Sequence, residues 1–219
     1  MAQKRVKSRA VGWLAFACIA ILLVYEGKPG FSNAAQPARA IADPVTALQM
    51  ARNVEEVDDV LGDAPSPDRE TMRIKQYIDF AFIPTYAGLF IALGLMFRSR
   101  LAIIAAASGV AAAIFDVTEN FAILRVVDTP LPQTTQAMID AIRHASYPKW
   151  ILAFVADALF AAVFWKSGHW AMRLMAGLFL AAAGIGFYGI YDNSFLAWSG
   201  IPTFGGLIAM VILFLRPSF

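Results

Sequence analysis

The chain is poor in the residues that carry most metal and redox chemistry, with one cysteine and two histidines in 219 residues. A single Cys18 excludes an intrachain disulfide, a Cys-x-x-Cys redox pair and a thiolate metal site. His144 and His169 fall on opposite sides of the expected membrane, so they cannot jointly ligate a haem. Two histidines are also too few for the di-iron site of membrane desaturases and hydroxylases. Charge is scarce as well: 16% of residues are charged and the formal net charge is +2, too little to suggest a nucleic-acid partner. No Ca²⁺ or Mg²⁺ loop pattern is present, and neither a metal nor a cofactor is expected.

What the chain has is apolar surface. Hydrophobic residues make up 59% of it and the mean hydropathy is +0.60, more than a water-soluble domain needs to fill a core. The apolar residues fall in runs near the ~20-residue length that lets a helix cross the hydrocarbon layer. Such runs cover about 10–25, 77–97, 101–124, 149–165, 171–191 and 194–215. The expected fold is an all-α polytopic transmembrane bundle of about six spans, forming one membrane domain over 1–219. Residues 1–26 are read as a signal anchor in preference to a cleaved signal peptide. The apolar stretch is long for a signal core, and the best small-x-small site, Ala38 to Ala40, lies far past its end. Residues 27–76 form an extracytoplasmic segment with an amphipathic helix, and 77–219 a five-span bundle.

Charge asymmetry orients these spans. With a cytoplasmic N-terminus, the inner pieces are 1–9, Arg98 to Arg100, Lys166 to His169 and the tail after Leu215. They contain none of the 16 acidic residues, while each short inner loop carries Lys or Arg. Both termini are therefore expected in the cytoplasm. Trp13, Trp165 and Trp170 mark the inner boundary, and Tyr25, Tyr77, Tyr147, Trp150 and Tyr191 the outer one.

Two outer segments read as helices that do not span. Asp43 followed by Pro44 is an N-cap with proline at the first helical position, and Ala47, Met50, Val54, Val57 and Leu61 recur at helical spacing before Gly62. Glu55, Glu56, Asp58 and Asp59 give the other face, expected to be solvated. From Thr134 to Ala145, Met138, Ile142 and Ala145 line one side, and this second helix is expected to lie flat at the interface, ending before Pro148.

The polar residues inside spans are the candidate site. Ala105, Gly109 and Ala113 form a small-residue row that lets a neighbouring helix approach, and continuing along it reaches Asp116 and Asn120, with Glu119 adjacent. Ala153, Asp157 and Ala161 repeat the pattern, while Asp79 and Tyr86 share a face one span earlier. At ~1.5 Å per residue, Asp116, Glu119 and Asp157 are expected about 7 to 12 Å below the outer boundary. Asp79, His144, Lys149 and Asp192 are nearer that surface, so one cluster opening outward is expected. A carboxylate at mid-bilayer costs at least ~2.5 kcal/mol on insertion scales, so several together require a role. Gly184, Gly186 and Gly189 spell Gly-x-Gly-x-x-Gly but lie within an apolar span, and are read as helix-packing positions. Pro84 and Pro202 read as tolerated kinks.

Residues Leu48 to Leu61, Tyr77-Ile-Asp-Phe-Ala-Phe-Ile-Pro-Thr-Tyr86, Asp116-x-x-Glu-Asn120 and Lys149-Trp150 together resemble a loose group of uncharacterised bacterial multi-pass membrane proteins. The resemblance covers about 45–165 and implies that Asp79, Asp116, Glu119, Asn120 and Lys149 belong together, in a bacterial inner membrane. It implies no activity.

Three functions remain open. In an accessory or structural protein, the cluster holds helices together, with Asp116 or Glu119 paired to Lys149 or Arg125. In a membrane enzyme acting on a lipid or isoprenoid, Asp116, Glu119 and Asp157 supply acid and base while Asp79, Tyr86, Asn120 and Lys149 bind substrate. In a transporter, the carboxylates carry protons or cations. Membrane lipids are the expected partners in each case. Reporter fusions test the orientation: those after Arg100 and at the C-terminus should read as cytoplasmic and one near Asp63 as external, and an internal signal at Asp63 would reverse the topology.

Overall fold

A computed structural model describes residues 2–27, 30–32 and 41–216, with side chains from Ser8 onward in the first helix. The Ala38–Ala40 site and the side chains of Lys4, Arg5 and Lys7 lie outside the described residues. The helices are α1 (Ala2–Gly27), α2 (Pro44–Gln49), α3 (Val54–Leu61), α4 (Pro67–Phe97), α5 (Arg100–Val127), α6 (Gln136–Trp165), α7 (Trp170–Tyr191) and α8 (Gly200–Leu215). No strand occurs among the described residues. Six helices are long and apolar enough to cross a membrane, the last when α8 is taken with the 3-10 turn before it: Ser8–Gly27, Pro67–Phe97, Arg100–Val127, Gln136–Trp165, Trp170–Tyr191 and Asn193–Leu215. The chain is an all-α multi-pass membrane protein.

The six long helices form a closed ring in which α1, α4, α5, α6, α7 and α8 each pack on the next, and α8 returns to α1. Val11, Ala15 and Cys18 of α1 are fully buried, so α1 is an integral wall of the bundle. The apolar interior falls into two layers. One holds Val11, Leu93, Phe160, Phe164 and Phe179; the other holds Leu48, Leu61, Ile123, Ile139 and Ile142. Between them α4 and α5 carry the polar side chains Asp79, Tyr86, Asp116, Glu119 and Asn120.

The second layer is covered by α2 and α3, which cap one pole. Asp43 accepts from the Thr46 N–H at 2.8 Å and Pro44 opens α2, as the sequence requires. The predicted single amphipathic helix divides here into two. Asn53 accepts from the Glu56 N–H at 2.9 Å and so starts α3 as a new helix, which ends at Gly62 with φ 66°. Val57, Val60 and Leu61 are buried while Glu55, Asp58 and Asp59 are exposed, giving the solvated acidic face.

A larger difference concerns residues 134–145. They do not lie flat as a separate helix but form the first turns of α6, which continues through Pro148. Met138, Ile139 and Ile142 are buried against the cap, so their apolar stripe meets protein rather than the bilayer surface. Similarly α4 begins at Pro67, capped by Ser66, well before the apolar run. At 31 and 30 residues, α4 and α6 exceed the ~20 that a bilayer requires, and their extra turns build the cap pole.

Polar contacts of the extended α4 tie that pole together. Arg69 donates through Nη1 to the carbonyls of Val126, Val127 and Thr129 at 3.0, 3.0 and 2.7 Å, and through Nε to Gly62 at 2.8 Å. It thereby adds a donor to carbonyls at and just beyond the C-terminus of α5, of which Val126 also accepts from the Thr129 N–H. Lys75 does the same for α1, donating to the Tyr25 carbonyl at 2.6 Å with its ammonium 4.1 Å from the Tyr25 ring centre. Asp63 accepts from the N–H groups of Leu131 at 3.0 Å and Ala64 at 2.8 Å, bonds that hold its carboxyl below the usual carboxylate range.

At the opposite pole lie Arg98, Arg100, Lys166 and His169, with Trp13, Trp165 and Trp170 exposed around it. Of the aromatic residues expected in the outer belt, Tyr77 and Tyr191 are exposed, whereas Tyr25, Tyr147 and Trp150 are partly withdrawn into the protein. The glycine motif of α7 divides in use. A Cβ on Gly189 would meet Leu196 Cα at 2.6 Å, so that glycine admits the following 3-10 turn. Gly184 has nothing within 4 Å and faces outward, contrary to its expected packing role.

Candidate functional site

The small-residue row of α5 does what its spacing requires. Ala105, Gly109 and Ala113 are buried, and Phe90 of α4 occupies the space where a Gly109 side chain would sit. Close approach of α4 and α6 to α5 then brings the polar residues on the same face within bonding distance.

Lys149 of α6 is the centre. Its Nζ donates to Glu119 Oε1 at 2.6 Å and to Asp116 Oδ1 at 3.1 Å, both on α5. The hydroxyl of Tyr86 on α4 donates to the other Asp116 oxygen at 2.8 Å. Asn120 Nδ2 donates to Asp79 Oδ2 at 2.7 Å, and Asp79 lies within electrostatic reach of Asp116, Lys149 and Glu119. From the cap, Gln49 Nε2 donates to Glu119 Oε1 at 2.7 Å, while its own oxygen accepts from Trp150 Nε1 at 3.2 Å. The Lys149 ammonium also stands 4.8 Å from the Trp150 ring centre.

The network is enclosed. Glu119 is 0% exposed, Asn120 1%, Asp116 and Gln49 6% and Lys149 7%. Asp79 and Tyr86 are half-buried. Gln49 and Trp150 cover the cluster on the cap side, where the sequence leads one to expect an opening. Glu119 Oε2 is buried and accepts no hydrogen bond; the nearby Ser146 hydroxyl donates to the Ile142 carbonyl at 2.9 Å.

Six of the seven sequence-predicted site residues meet here: Asp79, Tyr86, Asp116, Glu119, Asn120 and Lys149. Asp157 does not. It follows Lys149 by eight residues on α6 and so stands ~12 Å further along the helix. It is 7% exposed, and no hydrogen bond or ion pair reaches it from any described residue. The expectation of one shared depth fails because α6 begins at Gln136, about three turns before the expected span end near Lys149, which places Asp157 deeper than Asp116 and Glu119. Arg125 and His144 are exposed and outside the network, and Asp192 caps the 3-10 turn after α7 by accepting from Ser194.

Gln49 was the member that sequence reading missed. Its signal is faint: a primary amide in a stretch where Val45, Ala47, Leu48 and Met50 are otherwise apolar. Among the described residues, no group of three or more His, Cys, Asp or Glu is arranged to hold a metal ion. Comparison with protein-family models, curated proteins and solved structures gives no match to this chain, so the site is read from its geometry.

The contrast between the two carboxylate settings is testable by thermal melting in detergent. Glu119→Leu strands the Gln49 amide and half of the Lys149 contacts and should lose at least ~1–3 kcal/mol. Asp157→Leu removes a buried group that has no partner and should be neutral or stabilising. A large loss from Asp157→Leu would reveal a bonding role for Asp157.

Proposed function

We propose that the chain is an accessory protein of the bacterial inner membrane, with both termini cytoplasmic, whose intramembrane ion network is a structural clamp. The observation that carries this reading is the pair of hydrogen bonds that the Lys149 ammonium donates to Asp116 and Glu119, closed over by Gln49 from the cap. One connected set of bonds thus joins α2, α4, α5 and α6. A buried ion pair is favourable only when its remaining polar atoms are satisfied, and most of this network's are. The exposed Arg98, Arg100 and Lys166 at the opposite pole support the cytoplasmic assignment of that side. Burial of one α1 face against α4 and α8 supports a retained anchor over a cleaved signal peptide.

A second reading has one specific observation in its favour. Asp79, Asp116 and Glu119 face a single ammonium, and Glu119 Oε2 is buried without a donor. Three carboxyls around one ammonium is the arrangement that acid-base catalysis on a lipid or isoprenoid, or proton-coupled transport, would use.

Asparagine keeps the shape of aspartate but cannot ionise, so substitution separates the two readings. Asp116→Asn weakens the partner of a buried ammonium, and Lys149→Met alone leaves carboxylates unpaired at ~3–5 kcal/mol. The double variant Asp116→Asn with Lys149→Met should regain much of the stability that Lys149→Met loses. For a clamp, the cellular phenotype returns with stability. Recovered stability without recovered phenotype would contradict the clamp and favour proton chemistry.

A further inference from the structure

At the pole opposite the cap, α4 and α5 approach so closely that their backbones nearly touch: a Cβ on Gly94 would lie 2.8 Å from the Ala106 Cβ and 3.3 Å from the Ala102 carbonyl oxygen. Beside this crossing the helix pair carries an outward-facing apolar groove of about 430 Å³. Its floor is small, with Gly94, Ala106, Ala107 and Ala111, and its walls are tall, with Ile91 and Leu95 on α4 and Ile103 and Ile114 on α5. Those four wall residues are 46, 58, 57 and 63% exposed. From Ile103 to Ile114 the groove runs ~16 Å along α5, close to half of the ~30 Å hydrocarbon core and therefore to one leaflet.

The loop that follows the groove, three residues beyond Leu95 and three before Ile103, is basic. Arg98 ends α4 and Arg100 begins α5, both are exposed, and neither has an ion-pair or side-chain hydrogen-bond partner among the described residues. Arg98 has φ 52°, the one positive φ at a non-glycine residue among those described. Glycine is the residue that adopts this helix-ending conformation without strain, so an arginine held there is a departure from what folding alone favours. The α5 N-terminus between the two arginines adds backbone N–H groups and the positive end of a 28-residue helix.

We propose that this groove is a binding site for an anionic phospholipid, with one acyl chain along the α4–α5 valley and the phosphate at Arg98 and Arg100. Charge complementarity selects the occupant: an apolar slot one leaflet long, with two unpaired arginines in the loop about one helical turn beyond its lining, fits a lipid with a negative headgroup. The arginine fork matches phosphate geometry with two parallel hydrogen bonds, and the small-residue floor lets the chain sit below the level of bulk lipid. The site is separate from the Lys149 network and stands whether that network is a clamp or a proton site.

The test is native mass spectrometry of the full chain released from nanodiscs that contain equal amounts of phosphatidylglycerol and phosphatidylcholine with the same acyl chains. The wild type should retain one phosphatidylglycerol per chain, preferred at least about tenfold, as two cations at an anionic headgroup imply. Arg98→Gln with Arg100→Gln should retain lipid but lose the preference. Ala107→Phe, which fills the groove from an exposed position and leaves the interior untouched, should lose the retained lipid. Arg125→Gln, at the other pole, should behave as wild type, and detergent melting should show all variants folded. An unchanged preference in the double glutamine variant would overturn the proposal. So would retained dimers that Ala107→Phe dissolves, because a second copy of the chain would then fill the groove.

Discussion

An ammonium ion in hydrocarbon is tolerated only when it is well paired, and in this bundle Lys149 meets that constraint with two carboxylate acceptors and the face of Trp150. Its acceptors lie on a different helix, so burying the lysine fixes how α6 must sit against α5. Tyr86 on the far side of Asp116 extends the requirement to α4, and Gln49 beyond Glu119 extends it to the cap. Dispersion between apolar side chains is non-directional and would allow these helices to slide or rotate against one another. Hydrogen bonds at 2.6 to 3.1 Å around one nitrogen set the register.

The two apolar layers acquire meaning from this. The layer toward the arginine pole consists of residues drawn from all six long helices, with stacked rings such as Phe90 on Phe160 filling the middle of the ring. The cap layer is different in kind, since α2 and α3 are too short to be stable alone and fold because α5 and α6 offer them an apolar floor. Arg69 and Lys75 close the same pole by bonding the last carbonyls of α5 and α1. The polar layer between adds a directional tie from the cap to the bundle through Gln49, beside the apolar floor and the bonds of Arg69 and Asp63.

Much of this was legible in the sequence, for identifiable reasons. Span number follows from apolar run length, and the inward face of α5 from the small-residue row that leads from Ala105 to Asn120. Asp79, Tyr86, Asp116, Glu119, Asn120 and Lys149 were predicted together because a charged or polar residue in a span has few places to go except toward its own kind. The outer halves of α4 and α6 are not legible as parts of spans: residues 67–76 are too polar to extend an apolar run, and 136–147 read as a separate interfacial helix because Pro148 suggests a break. The small-residue row Ala153, Asp157 and Ala161 and the depth count both suggest that Asp157 joins the others, and neither fixes its level. Depth counted from the apolar run places the outer end of α6 near 149, whereas the helix starts at Gln136, so Asp157 stands deeper than the count suggests. Gln49, Arg69 and Lys75 act across 70, 57 and 50 residues of sequence, distances over which local pattern carries no information.

The central claim, that the Lys149 network holds the cap to the bundle, is tested most directly by backbone hydrogen exchange of the purified protein with and without Lys149→Met. The account predicts faster exchange in α2, α3 and the cap-side turns of α5 in the variant, with α7 and α8 unchanged. Unchanged protection of residues 44–61 would contradict it, since the cap would then be held without the network.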